Sequence, residues 1–491
     1  MQEIKHFIGG REVDSLSGAT FTKDNPATGE IFATVARGGA EDIDRAVEVA
    51  EQTFKSGVWS RLAPAERGKR LAKVAQLILD NLQSLAEAET RDSGKPLQDN
   101  LRIDVPFSAD YWTFFAGAAD KVQTMVVANE PGMHRYTLRE PYGVVGCIAP
   151  WNFPIVMVTL KMAPALVAGN SIVFKMAEQT PTTVSMIAKL CLEAGIPEGV
   201  VNVVHGYGHE AGAALVKHPK VKKISFTGST SVGTEIASVA GGQAKSALLE
   251  MGGKAANIIF ADADLDLAVQ GALQAGLANS GQFCLAASRL LVEEKIADEV
   301  LDRLREKFKT VRLGDPMNPA THLGPLVSKA QHERVLNYIE IGKQEGAKLL
   351  CGGKRPQLEA PFDKGYFIEP ALFAEFKPQM RVSQEEIFGP VIGLMRFRTE
   401  AEAIEIANGT MYGLSNYFWT KDVDRVHRVS QALDSGLVFI NMPQYSSPMM
   451  PSTGHKMSGV GEKLGLQGIN AYTQLKSIYL NYSGKIFPWI S

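Results

Sequence analysis

The chain predicts an α/β fold built on parallel sheets covered by helices on both faces. Two observations carry that expectation. From residue 141 onward, short apolar runs alternate with stretches of helical period, the rhythm of repeated strand–helix units. The strand candidates are apolar almost throughout, as strands buried on both faces must be. A length of 491 residues at 45% hydrophobic content supplies more than one sizeable core.

Taken in order, residues 1–40 are rich in turn formers and short β-like runs. Asn25-Pro26-Ala27-Thr28-Gly29-Glu30 reads as a turn between two strands. A helix over 41–55 is expected from the stripe Ile43, Ala46, Val47 and Ala50, and longer helical segments over 64–90 from Leu71, Val74, Leu77 and Ile78. The alternating region then gives strands at 144–149, 171–175, 200–204, 222–226 and 247–250, with helices at 155–168, 182–193, 208–217 and 229–239 between them. A second α/β unit starts near Gly253, with strands at 257–260 and 289–292 and helices at 266–278 and 296–311. Residues 311–400 carry more loop, with turns at Gly314-Asp315-Pro316 and Gly352-Gly353. Residues 476–491 read as an extended tail able to add a strand to a neighbour.

Composition removes several function classes. With 51 basic and 53 acidic residues the net charge is −2, and no basic stripe points to nucleic acid. The N-terminus lacks the apolar core of a signal peptide, and no run approaches the roughly 18 apolar residues that span a bilayer. Four cysteines without a Cys-x-x-Cys spacing suit reduced thiols in a cytoplasmic protein. Nine histidines form no His-Glu-x-x-His, so no metal site is expected.

The chemistry concentrates between Leu249 and Cys284. Leu249-Glu250-Met251-Gly252-Gly253-Lys254 offers a carboxylate beside a glycine turn, and Gly281-Gln282-Phe283-Cys284 offers a thiol. A general base and an activatable nucleophile suit covalent catalysis. Other motifs surround them. Pro150-Trp151-Asn152-Phe153-Pro154 follows the first strand of the alternating region, where an Asn amide can donate to a developing oxyanion. Lys175 and Glu178 can both reach a ribose, and the Glu accepts from a 2′-hydroxyl while repelling a 2′-phosphate. Gly228-Ser229 opens a helix whose free N–H groups suit a phosphate. Glu386 and Phe388 place a carboxylate and a ring ahead of a turn. Each has a bland structural reading of its own: a buried core thiol, a turn cap, a solvated ion pair, an ordinary strand–helix turn or an acidic loop.

Together, Asn152, Lys175, Glu178, Gly228-Ser229, Glu250, Cys284 and Glu386-x-Phe388 resemble the NAD(P)-dependent aldehyde dehydrogenase superfamily, over about residues 20–480. The resemblance implies a Rossmann-type NAD-binding domain (1–121 and 142–252), an α/β catalytic domain (253–457) and a small β oligomerisation element (122–141 and 458–491). It implies a homodimer or homotetramer, with no nucleic-acid or membrane partner. Cofactor contacts are implied for Trp151, Lys175, Glu178, Gly228, Ser229, Glu386 and Phe388. Glu178 favours NAD, with NADP the less favoured alternative.

The implied reaction oxidises an aldehyde to the free acid through a thiohemiacetal and a thioester on Cys284, with Asn152 at the oxyanion and Glu250 activating water. The chain departs from the family in two places. Many relatives carry Pro-Phe-Gly-Gly-x-Lys where this chain has Pro451-Ser452-Thr453-Gly454-His455-Lys456, so a tunnel ring is expected to be missing at Ser452. Many carry Gly-Arg-Glu where this chain has Gly461-Glu462-Lys463, which leaves Glu250 expected to act alone. Phe107, Phe153, Phe283 and Tyr445 are implied tunnel walls, suited to a medium aliphatic or aromatic aldehyde. The alternatives are a betaine-type or semialdehyde dehydrogenase, a thiolate esterase working without NAD, and a catalytically silent structural relative.

Overall fold

The computed structural model describes residues 1–485, so 486–491 of the expected tail lie outside the described residues. Five parallel strands form the centre of the first sheet: Val144–Ala149, Ser171–Met176, Val201–Val203, Val221–Thr227 and Ser246–Glu250. Across the sheet they run 246–250, 221–227, 144–149, 171–176, 201–203. From 144–149 the chain builds outward one way, then returns to build the other way from 221–227. The strand order therefore reverses between those two neighbours, and ligands of such sheets bind in the crevice beyond their carboxyl ends. Gly459–Val460 pairs antiparallel with the edge strand 246–250, and His6–Ile8 with Arg11–Val13 closes the far edge.

Strands 144–149 and 171–176 are buried at every position, which is why they read as continuous apolar runs. Helix Pro154–Val167 is buried at every position but Leu160. It lies between the sheet and the helices Pro64–Asp80, Val105–Ala118 and Thr182–Glu193, so it has no solvent face to be polar. Pro154 at its first position costs no hydrogen bond, and the free N–H of Ile155 donates to Glu89 Oε1 at 3.1 Å. Glu89 is fully buried, and that burial pushes its carboxyl up to about 8.

The second sheet has seven strands in the order Lys348–Cys351, Ala371–Ala374, Val391–Phe397, Arg289–Glu293, Ala256–Ile259, Ser415–Trp419, Leu437–Ile440. All neighbours are parallel except the first pair. Residues 251–255 lead from the end of one sheet to the start of the other, so carboxyl ends of the first face amino ends of the second.

The region 311–400 is more ordered than its sequence predicts. It holds helix Lys329–Gln344 and three strands of the second sheet. That helix buries only a thin stripe of His332, Val335, Tyr338, Ile339 and Gly342, and the polar residues around it mask the period. Met133–Pro141 and Thr473–Asn481 pair antiparallel as a separate two-stranded sheet. Among the described residues, no helix is long and apolar enough to cross a membrane.

Candidate functional site

Asn152 sits immediately beyond strand 144–149 and is 4% exposed. Its Nδ2 donates to the Gln282 carbonyl at 3.0 Å, and its own carbonyl accepts from Asn279 Nδ2 at 2.7 Å. An amide nitrogen has two N–H groups. One is spent fixing the side chain two residues from Cys284, and the other remains to donate.

The backbone before Cys284 turns through three consecutive left-handed residues, Asn279 (φ 50°), Ser280 (φ 55°) and Gly281 (φ 70°). Glycine adopts this freely and Asn tolerates it, whereas Ser280 is strained. The turn is held by Ser280 Oγ donating to the Gly324 carbonyl at 2.8 Å and by the Asn279 bonds. A Cβ on Gly281 would lie 2.1 Å from the Gly389 carbonyl oxygen, so no other residue fits there. Gly253 is required for a similar reason: its Cβ would meet the Cys284 carbonyl oxygen at 2.2 Å.

Cys284 Sγ lies 4.0 Å from Glu250 Oε1, with the thiol donating. Burial first, then the charge of Glu250, push the thiol well above its ordinary range. The thiol therefore has a carboxylate within reach that can take its proton. Glu250 has further partners. Lys463 Nζ makes an ion pair with Oε1, both side chains being largely shielded from solvent. Thr227 Oγ1 donates to Oε2 at 3.3 Å. Thr227 in turn accepts from Lys161 Nζ at 2.8 Å. Burial raises the Glu250 carboxyl, but Lys463, Lys161 and Thr227 outweigh it, and the net direction is down. Lys161 is fully buried and its ammonium is pushed down to about 8 by that burial.

On the other side of the crevice, Lys175, next to last in its strand, pairs with Glu178 at 3.1 Å. Ser229 caps helix Thr230–Gly242, its oxygen accepting from Val232 N–H at 3.4 Å. Glu386 Oε1 accepts from Gly253 N–H at 3.0 Å, and burial pushes its carboxyl up to about 7. Trp151 and Phe388 meet edge to face at 5.3 Å. These groups fit a dinucleotide. Gly228 and Ser229 start a helix at the reversal of strand order, and the remaining lone pairs of Glu178 and Glu386 can accept hydroxyl hydrogens.

The implied tunnel residues fall into two groups. Phe153 and Phe283 meet edge to face at 6.3 Å, and Phe107 packs on Tyr111 at 4.2 Å. Tyr111 hydroxyl bonds Ser446 Oγ. Tyr445, by contrast, is 67% exposed and stands at the rim.

Comparison with known proteins places the whole arrangement. The model of the aldehyde dehydrogenase family matches residues 13–478. The chain belongs to the aldehyde dehydrogenase family. It is 43% identical to aldehyde dehydrogenase family 2 member C4 of Arabidopsis thaliana, over 99% of this chain and 96% of that protein. It superposes on crystal structures of PnpE from Pseudomonas sp. WBC-3 (TM-score 0.97, 42% identity, covering 100% of this chain and 99% of that one) and of the NAD+ complex of a Bacillus cereus aldehyde dehydrogenase (TM-score 0.95, 44% identity, 98% and 97%). The protein is an NAD(P)-dependent oxidoreductase that converts an aldehyde to an acid.

Of the residues singled out from this aldehyde dehydrogenase's sequence, Glu250 and Cys284 are in contact, and Asn152 is held to the backbone two residues before Cys284. Four neighbours were not visible there. Thr227 and Lys161 belong to the carboxylate's surroundings, Tyr111 to the tunnel, and Lys95 lies 4.0 Å over the Phe153 ring while paired with buried Asp104. Tyr111 carried one usable signal, since it follows Phe107 by four residues on one helix. Lys95, Lys161 and Thr227 carried none, because each acts through a partner distant in sequence.

Proposed function

We propose that this chain is an NAD-preferring, hydrolytic aldehyde dehydrogenase acting on a medium aliphatic or aromatic aldehyde. The observation that carries the mechanism is Glu250 Oε1 at 4.0 Å from Cys284 Sγ, beside the fixed amide of Asn152.

Glu250 takes the thiol proton and the sulfur attacks the aldehyde carbon, forming the C–S bond. Asn152 donates its free N–H to the oxyanion. Trp151, Lys175, Glu178, Gly228, Ser229, Glu386 and Phe388 would hold the dinucleotide, which when bound would accept the hydride that the thiohemiacetal carbon must lose. The carbon left on Sγ is then a thioester. Glu250, after releasing its first proton to solvent, takes one from water. The hydroxide adds to the acyl carbon, the C–S bond breaks, and Cys284 leaves with the free acid as product. A carboxylate within reach of the thioester favours water over a thiol as the acyl acceptor.

Phe153, Phe283, Phe107 and Tyr111 supply flat apolar walls for the substrate. Lys95 already lies over the Phe153 ring, which counts against that ring caging a quaternary ammonium. Relatives include an indole-3-acetaldehyde dehydrogenase at 42% identity and TM-score 0.96, and betaine aldehyde dehydrogenases of Staphylococcus aureus at 36%. The three-part division at 1–121 with 142–252, 253–457, and 122–141 with 458–491 belongs to the same reading. So does a cytoplasmic location, which suits four free cysteines. Homodimerisation or tetramerisation through the sheet of 133–141 and 473–481 suits a two-stranded element that exposes Leu138, Leu475, Tyr479 and Leu480.

The test is NADH formation across short aliphatic, long aliphatic, benzaldehyde-type, betaine and semialdehyde substrates, with NADP in parallel and the acid assayed without CoA. Preference for aromatic or medium aliphatic aldehydes with NAD is expected. Preference for betaine aldehyde or a semialdehyde would overturn the substrate assignment.

A further inference from the structure

Lys463 occupies a position where many family members carry Glu, and it reverses the charge presented to Glu250. Its place is built by the backbone. Gly459–Val460 pairs with strand 246–250 in a register that sets Gly459 opposite Glu250, and Met251 N–H donates to the Ser458 carbonyl at 2.8 Å. Ser458 Oγ donates to the Gly252 carbonyl at 2.7 Å. The chain then turns at Gly461 (φ 90°) into Glu462–Lys463, which pairs with Ser452–Thr453. The next residue, Leu464, is buried and left-handed (φ 66°), an unfavourable conformation for a branched side chain. Both flanks of Lys463 are therefore fixed, and its ammonium is delivered onto Glu250 Oε1.

Among the described residues, three charged or titratable groups reach Glu250 directly or through one hydroxyl, and Tyr472 lines the cavity behind it. Lys463 comes from the strand 462–463, Lys161 from helix 154–167 through Thr227, and the Cys284 thiol from the turn after 278–281. The cavity behind the carboxylate, which Tyr472 also lines, has a volume of about 20 Å³, room for roughly one water. The pair is mostly enclosed, at 18% and 12% exposure, so solvent screens it only in part and the charge of Lys463 acts on Glu250 at short range.

We propose that Lys463 is a positioning residue for Glu250, holding the carboxylate ionised beside Cys284 and so setting the pH range over which the acyl-enzyme is hydrolysed. The inference rests on Glu250 being the base of the hydrolytic step. Of the two lysines, Lys463 alone touches Glu250, while Lys161 adds its charge from beyond the Thr227 hydroxyl. Removing Lys463 leaves burial, which disfavours the charged form, opposed only by that weaker arm. Glu250 must be ionised to accept a proton from water. The acid limb of deacylation is therefore low in pH while Lys463 is present and moves to higher pH without it.

The experiment uses p-nitrophenyl acetate, which acylates Cys284 without cofactor, on wild type, K463M, K463R and E250Q. The burst amplitude counts competent thiols and so corrects for any misfolded fraction. The following steady phase reports deacylation and is measured from about pH 5 to about pH 9. K463M is expected to lose about tenfold in deacylation near the acid end, to approach wild type at the alkaline end, and to be rescued by K463R. A K463M profile superimposable on wild type, with E250Q slow, overturns the role of Lys463 alone. E250Q deacylating like wild type overturns the base assignment and this inference with it.

Discussion

The two sides of the crevice each hold a lysine–glutamate pair, and the pairs are built for opposite uses. Lys175 and Glu178 lie three residues apart, one at a strand end and the other in the turn beyond it. Lys175 is almost fully buried, and Glu178 is 30% exposed. The glutamate can therefore trade its partner for a ligand hydroxyl at little cost. Lys463 and Glu250 come from strands distant in sequence and brought together by the sheet edge, and both are mostly enclosed, at 18% and 12% exposure. An enclosed pair is costly to break, because each charge is left without solvent. The same two side chains thus give a yielding contact where a ligand must come and go. They give a lasting one where a carboxylate must keep its charge through a reaction.

The largest effect expected leaves both pairs intact. Cys284→Ala removes the nucleophile, and dehydrogenase and esterase turnover are both expected to fall by roughly a thousandfold or more. Retention of either, measured as NADH or nitrophenol release, would show that the pairs serve some other centre. Glu250→Gln breaks the enclosed pair and its base together. Deacylation is expected to slow by about a hundredfold. Rapid-quench mass spectrometry should then find the acyl group on Cys284, and an unchanged steady-state rate with no adduct would contradict the assignment.

How far the sequence foretold all this follows the same local-versus-distant division. Strand 144–149, helix 182–193 and the helix start at Gly228-Ser229 were legible because period and turn chemistry are local signals. Lys175 with Glu178 was legible too, the two being three residues apart. Helix Lys329–Gln344 was not, because its buried stripe is narrow and includes a histidine and a glycine. The partners of Glu250 were hidden for a different reason. Lys463 stood out only as a departure from the family pattern, read as leaving Glu250 to act alone. Only the pairing of 459–460 with 246–250 reveals that the replacement compensates a charge. Thr227 and Lys161 likewise depend on how a strand end and a buried helix pack.

The smallest effect expected sharpens the comparison from the yielding side. Glu178→Ala removes the carboxylate proposed to accept from a ribose 2′-hydroxyl and repel a 2′-phosphate, and it frees Lys175 from its ion-pair partner among the described residues. Burial already pushes the Lys175 ammonium down, while Glu178 holds it up. An added phosphate would replace the lost counter-charge, whereas NAD would lose one hydrogen bond. The ratio of kcat/KM for NADP to that for NAD is expected to rise by about tenfold, equivalent to about 1.4 kcal/mol. The deacylation rate should be unaltered, since this pair is remote from the acyl group. A fixed cofactor ratio would remove the reason for preferring NAD. A changed deacylation rate would mean that the two pairs are coupled and that the division between them does not hold.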